Sequence, residues 1–306
     1  LLRLHYPKVC LTIYLQKNSD LLFDQGKKHK MNLIPLIVIL SMTIPAFAFA
    51  DYEPPRTAGG KPDFTGVWQV LNTANDSLEA HTGRAAQVMR EGPVVPVPVK
   101  ALVALGAVGA VPPSLGVVEG DEIPYKPEAL AKREENRKNW ITADPEVHCY
   151  LPGIPRATYM PHPFQIAHNK DALMFSYSYA GAVRNVALSD PGPAPIDSWM
   201  GLSWAHWEGD TLVIETNGMH DQTWLDRSGN YHSDKLKVIE RYTRTSEHTI
   251  DYSATLEDGD VFTRTWTITM PLYKRVGADA QMLRFSCVEY VEEMMYGHLR
   301  KEPLDE

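Results

Sequence analysis

The second half of the chain is dominated by a two-residue alternation of apolar and polar positions. The segment LMFSYSY, for example, places Leu173, Phe175 and Tyr177 on one face. A period of two is typical of a strand that is buried on one side. Similar patterns extend over 64–70, 183–188, 203–207, 211–216, 236–244, 249–256, 261–269 and 282–289. The sequence therefore predicts about eight or nine strands.

The predicted strands follow one another with short turns, which favours an antiparallel meander. Glu208-Gly209-Asp210 is a turn signal between two of them and predicts a hairpin. At about eight strands, closure into a barrel removes exposed edges. We therefore expect a mainly β fold, an antiparallel lipocalin-like β-barrel. A two-sheet sandwich is the structural alternative.

Two segments interrupt the strand pattern. Residues 127–140, PEALAKREENRKNW, predict one short charged helix with Pro127 in its first turn. Residues 85–120 are rich in Val, Ala, Pro and Gly, which excludes a single long helix. We expect them to form a long irregular loop or an apolar arm.

The first fifty residues carry an export signal. Residues 31–50, MNLIPLIVILSMTIPAFAFA, form an apolar run that ends in Ala48-Phe49-Ala50, as a cleavable signal peptide does. A membrane anchor is the alternative, but two prolines interrupt the run and it falls short of a span of about 20 residues. We expect residues 1–30 to be upstream non-coding read-through and residues 51–306 to form a single β-barrel domain. The expected location is periplasmic or secreted, without stable membrane insertion after cleavage.

Removing this segment changes the charge balance. Residues 1–50 hold 6 of the 30 basic and 2 of the 38 acidic residues, so the remaining 24 basic and 36 acidic residues give a net charge near −12. Such a charge argues against nucleic acid or anionic lipid as partners. Of the three cysteines, Cys149 and Cys287 remain. In an oxidising compartment they are expected to form one disulfide, with two buried free thiols as the alternative.

Charged residues on apolar strand faces give the sharpest candidate site. In LKVIERYTR, Glu240 lies on the same strand face as Tyr242, because the two are separated by one residue. By the same alternation Arg264 lies with Trp266, and Arg184 lies on the apolar face of AVRNVAL. Buried charges are costly unless they are paired, so we expect Glu240 to meet Arg264, Arg184 or both.

This predicted cluster has two interpretations. It could be a satisfied ion pair of the core. It could also anchor a ligand, because an arginine fork at the base of a cavity orients a carboxylate, phenolate or carbonyl group. In the second interpretation Tyr242, Phe262 and Trp266 form the walls for a small apolar or aromatic molecule.

The loop after TLVIET offers a different chemistry. It contains His232 and Asp226, which could act as a general acid/base pair, with Arg264 stabilising an oxyanion. This arrangement would suit a lyase, isomerase or hydrolase that works without an organic cofactor. The same loop is rich in Asp, Ser, Gly and Asn, which also favour tight turns without any catalytic role.

Other chemistries receive little support from the sequence. Five histidines are candidate metal ligands, but none of them occurs in a compact spacing such as HExxH: His162, His168, His206, His220 and His232. We therefore predict neither a metal nor a cofactor. The chain also lacks GxSxG, P-loop, Rossmann and CxxC patterns, which argues against common serine hydrolases, nucleotide enzymes and thioredoxin-like proteins.

Several motifs resemble those of a large group of uncharacterised secreted bacterial proteins. They occur in the order PRTAGGKPDFTGVW, CYLPGIPR, WEGDTLVIET, TWLDRSGNYHSDKLKVIERYTR and a final Cys-x-Glu, and cover nearly all of 55–300. The resemblance implies export and a single domain but no reaction. The chain departs from the group at Val288, where the group has His, and at His206, where it has Arg. Gly66-x-Trp68 is also similar to the first strand of lipocalins.

The sequence thus supports three functions. The first is an exported barrel that binds a small molecule. The second is the cofactor-independent enzyme, and the third is a structural or interaction protein of the envelope whose arm at 85–120 contacts a partner. The sequence leaves the ligand, the existence of turnover and the oligomeric state open.

Overall fold

Strands of the described chain close into a barrel, which confirms the predicted fold class. The computed structural model describes residues 52–85, 110–169, 172–277, 280–283 and 285–290. Its strands are β1 (Gly66–Gln69), β2 (Arg84–Ala85), β3 (Ala110–Val111), β4 (Phe164–His168), β5 (Leu173–Tyr177), β6 (Val183–Ala187), β7 (Leu202–Glu208), β8 (Thr211–Asn217), β9 (Lys237–Arg244), β10 (Thr249–Glu257) and β11 (Trp266–Lys274). Nine of these strands form the barrel, in the order β1-β11-β10-β9-β8-β7-β6-β5-β4, and β2 pairs with β3 alone.

Several expectations concern parts of the chain that are not described. The upstream segment 1–30, the signal peptide 31–50 and residues 86–109 of the arm lie outside the described ranges. The described residues belong to one compact unit that starts at Tyr52. Within them, no helix has the length and apolar character needed to cross a membrane.

One neighbouring pair departs from the antiparallel arrangement that the sequence predicts. Strands β6 and β7 are parallel, with Val186 opposite Ser203. The other neighbouring barrel strands are antiparallel. A tight turn cannot join two parallel strands, because the chain must first return to the same end of the sheet. The connection 188–201 makes this return, so the barrel is mixed rather than fully antiparallel.

Strand β1 is too short to cover the whole edge of β11. It pairs with β11 only at Trp68 and Gln69. Residues 117–119 cover a further part of that edge, because Glu119 donates its backbone N–H to Thr267 and Val117 accepts one from Thr269, both at 2.8 Å. An uncovered strand edge invites pairing with another chain, so this segment protects the barrel.

Two predicted strands were placed wrongly and one was missed. The strand predicted over 261–269 begins at Trp266 and runs to Lys274. The described residues of 282–289 form no strand. The missing barrel strand is β4, which precedes β5 and pairs with both β5 and β1. The nine barrel strands agree in number with the prediction of eight or nine, although β4 takes the place of the strand predicted over 282–289.

The described chain also forms two α-helices outside the barrel strands. Helix α1 (Leu130–Ala143) follows a 3-10 turn at Pro127–Ala129 and confirms the helix predicted over 127–140. Helix α2 (Arg156–Tyr159) is a single turn whose four residues are all buried. Its apolar residues share one core with the inward faces of the barrel strands.

The predicted disulfide joins two distant parts of the chain. Cys149 and Cys287 are bonded, their Cα atoms lie 5.7 Å apart, and they are separated by 138 residues. The bond fixes the segment that leads into α2 to the described C-terminal residues. The alternative of two free thiols is wrong.

Candidate functional site

An ion pair lies inside the barrel between Arg184 of β6 and Glu240 of β9. The burial of β9 alternates along its length, which turns Glu240 inward as predicted. Arg184 Nη2 lies 2.5 Å from Glu240 Oε2. The same guanidinium donates from Nε to Ser203 Oγ at 2.8 Å and from Nη2 to Thr216 Oγ1 at 2.6 Å. The two charges therefore compensate each other inside the core.

Two tyrosines satisfy the second carboxylate oxygen of Glu240. Tyr242 and Tyr252 each donate their hydroxyl to Oε1 at 2.9 Å. Burial raises the pKa of both hydroxyls well above 10, and the negative charge of Glu240 adds to this effect. Both tyrosines therefore remain protonated donors over the physiological pH range.

Three buried donors lie together near this pair, and none makes a hydrogen bond of good geometry with a described residue: Arg184 Nη1, Tyr177 Oη and Thr158 Oγ1. Each side chain is at most 3% exposed. Burial raises the pKa of Tyr177 to about 12, while the nearby Arg184 and Thr158 act in the opposite direction. Buried polar groups are nearly always paired, and leaving one unpaired costs about 1–3 kcal/mol. The three atoms therefore form a polar cluster around Tyr177 whose hydrogen bonding an added acceptor would improve.

Aromatic rings form the apolar surroundings of the polar site. The guanidinium carbon of Arg184 lies 5.5 Å from the centre of the Phe175 ring, in a cation–π arrangement. Phe175 lies 5.7 Å from Tyr242, and Tyr242 lies 5.0 Å from Tyr252, measured between ring centroids. The expected wall residue Tyr242 is therefore part of this cluster.

Arg264 does not belong to the interior cluster, so its expected position is wrong. It is exposed and donates from Nη1 to the backbone oxygen of Thr265 at 3.2 Å. The alternation that placed it inward began in a turn, where Asp258 Oδ1 accepts the backbone N–H groups of Asp260 and Val261. Side chains alternate between two faces only in an extended strand, and β11 begins two residues after Arg264.

The other two expected wall residues are buried, but they make a different set of contacts. Trp266 and Phe262 lie 5.3 Å apart in an edge-to-face arrangement. The ring of Phe262 also contacts that of Tyr125, with 5.2 Å between the ring centroids. Trp266 Nε1 is a further buried donor without a partner among the described residues. This aromatic group lies where the segment 117–126 pairs with β11 and with the turn that precedes it.

His232 and Asp226 do not form the expected acid/base pair. His232 donates from Nδ1 to the backbone oxygen of Ser233 at 2.8 Å, so its Nε2 accepts from the Thr223 hydroxyl at 2.6 Å. Burial lowers the pKa of His232, which keeps it neutral. Both ring nitrogens are occupied, and no contact with Asp226 or Arg264 is seen in the described chain.

Asp226 organises its own loop. Its two oxygens accept the backbone N–H groups of Leu78, Ser228 and Asn230 and the side-chain amide of Asn230. Burial raises the pKa of Asp226 to about 6, although these donors oppose the shift. These hydrogen bonds are typical of a tight turn, so they agree with the structural interpretation of the loop rather than with the catalytic one.

A second charged network, which sequence reasoning missed, holds α2 in place. Arg156 donates to both oxygens of Asp144, to Glu146 Oε2 and to Asn75 Oδ1, each at 2.8 Å. Arg227 donates to both oxygens of Glu146 at 2.8 Å. Burial alone would raise the pKa of Glu146, but Arg227 and Arg156 outweigh it and lower the pKa to about 2. The network positions α2, and with it Thr158.

The interior site includes other residues that the sequence did not single out. Tyr252 could have been found, because it shares parity with Ile250 and Ala254 on an alternating strand. Thr158 gave no such signal, since a single helical turn in an irregular segment has no periodicity to read. The same holds for the pairing of Arg156 with Asp144, which depends on tertiary packing.

Two cavities are described, and both lie outside the barrel interior. One has a volume of about 570 Å3 and lies between the end of β5 and residues 282–287. The other, about 520 Å3, lies between residues 52–56 and Glu247. Among the described residues no group of His, Cys, Asp or Glu could hold a metal ion. The five histidines considered as ligands are therefore not assembled into a site there.

Comparisons with other proteins add no family. No family model matches the chain, and neither a curated protein nor a solved structure shows significant similarity to it.

Proposed function

We propose that this protein is an exported barrel that binds a small molecule through a hydrogen-bond acceptor, such as a carbonyl oxygen. The observation that carries the proposal is the cluster of buried donors Arg184 Nη1, Tyr177 Oη and Thr158 Oγ1, none of which makes a hydrogen bond of good geometry with a described residue. All three can donate a hydrogen bond, so the group that satisfies them best is an acceptor.

The charge of the site selects the kind of acceptor. Arg184 is already neutralised by Glu240, so a carboxylate ligand would bring an uncompensated charge into the barrel. Such a charge would be costly in an apolar interior. The preferred ligand is therefore an uncharged aromatic or apolar carbonyl compound, with Phe175 and Tyr242 against its apolar part.

Export is the second part of the proposal. It is supported by the signal-like pattern of residues 31–50 and by the bonded Cys149–Cys287 pair, since structural disulfides persist mainly in oxidising compartments.

Binding can be tested with Prodan, an uncharged naphthyl ketone whose fluorescence shifts to the blue in apolar surroundings. We expect the protein to shift its emission with saturable binding. Tyr177→Phe should weaken binding about 2–10-fold, the value of one hydrogen bond. It should change stability little, because the deleted hydroxyl makes no hydrogen bond of good geometry with a described residue. The matched control is Tyr273→Phe, which removes a hydroxyl from an exposed tyrosine.

Two results would contradict the proposal. One is the absence of any saturable shift with the folded wild-type protein. The other is a Tyr177→Phe protein that binds Prodan as well as the Tyr273→Phe control does. Mass spectrometry of protein purified from its native host, under denaturing conditions, would identify a natural ligand by its release.

A further inference from the structure

The described residues 285–290 form an irregular segment that lies against the loop before α2, and we call this segment the C-terminal strap. Cys287 joins the strap covalently to Cys149 of that loop. Tyr290 donates its backbone N–H to Val147 O at 2.9 Å. The disulfide and this hydrogen bond therefore attach the strap to the same short stretch of the loop.

Side chains add contacts at both ends of the strap. The Tyr290 hydroxyl lies 3.0 Å from His148 Nδ1. The ring of Phe285 lies 4.3 Å from that of His162 and 5.7 Å from that of Tyr179, measured between centroids. The strap thus covers part of His162 and of the buried Tyr179.

Packing contributes little to holding the strap in place. No described residue of the strap belongs to the hydrophobic core of the barrel. Four of its residues are exposed: Phe285, Ser286, Val288 and Glu289. A segment with few buried apolar contacts opens locally at a low cost in free energy, whereas a covalent link keeps its ends at a high effective concentration. The disulfide is therefore the main attachment of the strap.

The disulfide is placed where a reductant can approach it. Cys149 and Cys287 are only half-buried, and both line the cavity of about 570 Å3 beside the end of β5. Thiol–disulfide exchange requires a thiolate to reach one of the two sulfur atoms, and exposed disulfides are the ones that exchange readily. Reduction at this place does not require the barrel to unfold.

We propose that the Cys149–Cys287 disulfide is a redox latch, which a dithiol reduces while the barrel stays folded, so that the strap leaves Tyr179 and His162. A thiolate of the dithiol attacks one sulfur and expels the other as a thiolate, which takes up a proton. The second thiol of the dithiol then breaks the mixed disulfide. Two electrons and two protons pass to the protein, which gains two cysteine thiols, and the dithiol becomes a disulfide. Such a latch works whether or not the barrel binds a ligand.

The barrel keeps its own closure when the latch opens. Strand β1 pairs with both β4 and β11, and the described strap takes no part in these ladders. On the chain-entropy model, loss of a disulfide acts mainly on the unfolded chain and not on contacts within the folded one. The strap is therefore the part of the described chain that we expect to move.

The test is hydrogen exchange of the full-length protein, followed by mass spectrometry, before and after treatment with dithiothreitol. We expect iodoacetamide to label both cysteines of the folded, reduced protein. The Tyr290 amide should then exchange within about tenfold of the rate of an unprotected amide, because one hydrogen bond gives about that much protection. The amides of β10 should keep the protection that they have in the oxidised protein.

The control is the double variant Cys149→Ser/Cys287→Ser, which has no latch. Its strap should exchange freely without a reductant, and dithiothreitol should change nothing further. The variant retains Cys10, so any effect of the reductant at that residue would also be seen in it. A second readout is the NMR titration of His162. Burial lowers the pKa of His162, so this pKa should rise towards its ordinary value when the strap leaves.

Three results would overturn the latch. The first is a folded protein whose disulfide resists dithiothreitol. The second is a reduced protein whose strap stays as protected as in the oxidised form. The third is a loss of protection in β10 together with the strap, which would show that the disulfide holds the whole barrel.

Discussion

Removing the guanidinium of Arg184 is the strongest test of how the barrel interior is held together. Arg184→Met keeps an unbranched apolar side chain at the position but leaves Glu240 without its counter-charge. Only the two neutral donors Tyr242 and Tyr252 then remain on this carboxylate. Both members of the pair are at most 1% exposed, so solvent cannot replace the lost arginine.

The expected cost follows from these contacts. Breaking a buried ion pair by deleting one partner costs about 3–5 kcal/mol. The lost hydrogen bonds to Ser203 and Thr216 add about 1 kcal/mol, because those hydroxyls also bond each other at 2.9 Å. The double variant Arg184→Met/Glu240→Gln carries no stranded charge, and its amide oxygen can still accept from the tyrosines. We expect it to lose only about 1–3 kcal/mol.

The assay is urea unfolding of the wild type, both single variants and the double variant, which form a thermodynamic cycle. Glu240→Gln should also cost about 3–5 kcal/mol, so the two single losses should together exceed the loss of the double variant by at least about 4 kcal/mol, and this excess is the coupling of the pair. Arg264→Met is the matched control and should stay within about 0.5 kcal/mol, because its arginine is exposed. Additive losses in the cycle would refute the reasoning, as would a control that destabilises as much as Arg184→Met.

Three further predictions concern the surroundings of the site. The lowered pKa of Glu146 stabilises the fold above pH 4.5, so the free energy of unfolding should fall as the pH drops from 4.5 towards 2. In urea unfolding measured at several pH values, Glu146→Gln should make this acid-side decrease shallower. The lowered pKa of His232 means that the unfolded chain binds its proton more readily. Stability should therefore fall as pH drops below 6.5, and a shallower slope for His232→Gln between pH 6.5 and 5 checks this. Gly229→Ala should cost at least 2 kcal/mol more than Gly209→Ala, measured by thermal unfolding. Both glycines have positive φ, but a Cβ at Gly229 would lie 2.5 Å from Arg137 N, whereas Gly209 has open space. Equal losses for the two glycines would remove the steric argument.

The fold and half of the site could be predicted because strand alternation is a local signal. Parity along β9 and β6 placed Glu240 and Arg184 inside, and the cost of burying a charge predicted their pairing. The same reasoning failed at Arg264, since residues 258–265 form a turn in which parity has no meaning. Alternation therefore identifies faces only where the segment is a strand, and the start of β11 was not visible in the sequence.

The rest of the site depends on packing between distant segments. Thr158 reaches the polar site on a single turn of helix that Arg156 holds through Asp144 and Glu146. No periodicity marks such a turn. Alternation placed Tyr177 on one strand face with Leu173 and Phe175, but the hydrogen bonding of its hydroxyl is a property of the assembled core and could not be read from its position on a strand.

The disulfide divides the chain into a covalently closed loop, from Cys149 to Cys287, and the segments outside that loop. Every barrel strand except β1 lies between Cys149 and Cys287, so eight strands belong to one covalent loop. On the chain-entropy model, a loop of this length restricts the unfolded state by about 5 kcal/mol. Strand β1 lies outside the loop, yet it completes the circle of hydrogen bonds between β4 and β11. In thermodynamic terms, β1 is an intramolecular ligand of an otherwise open eight-stranded sheet.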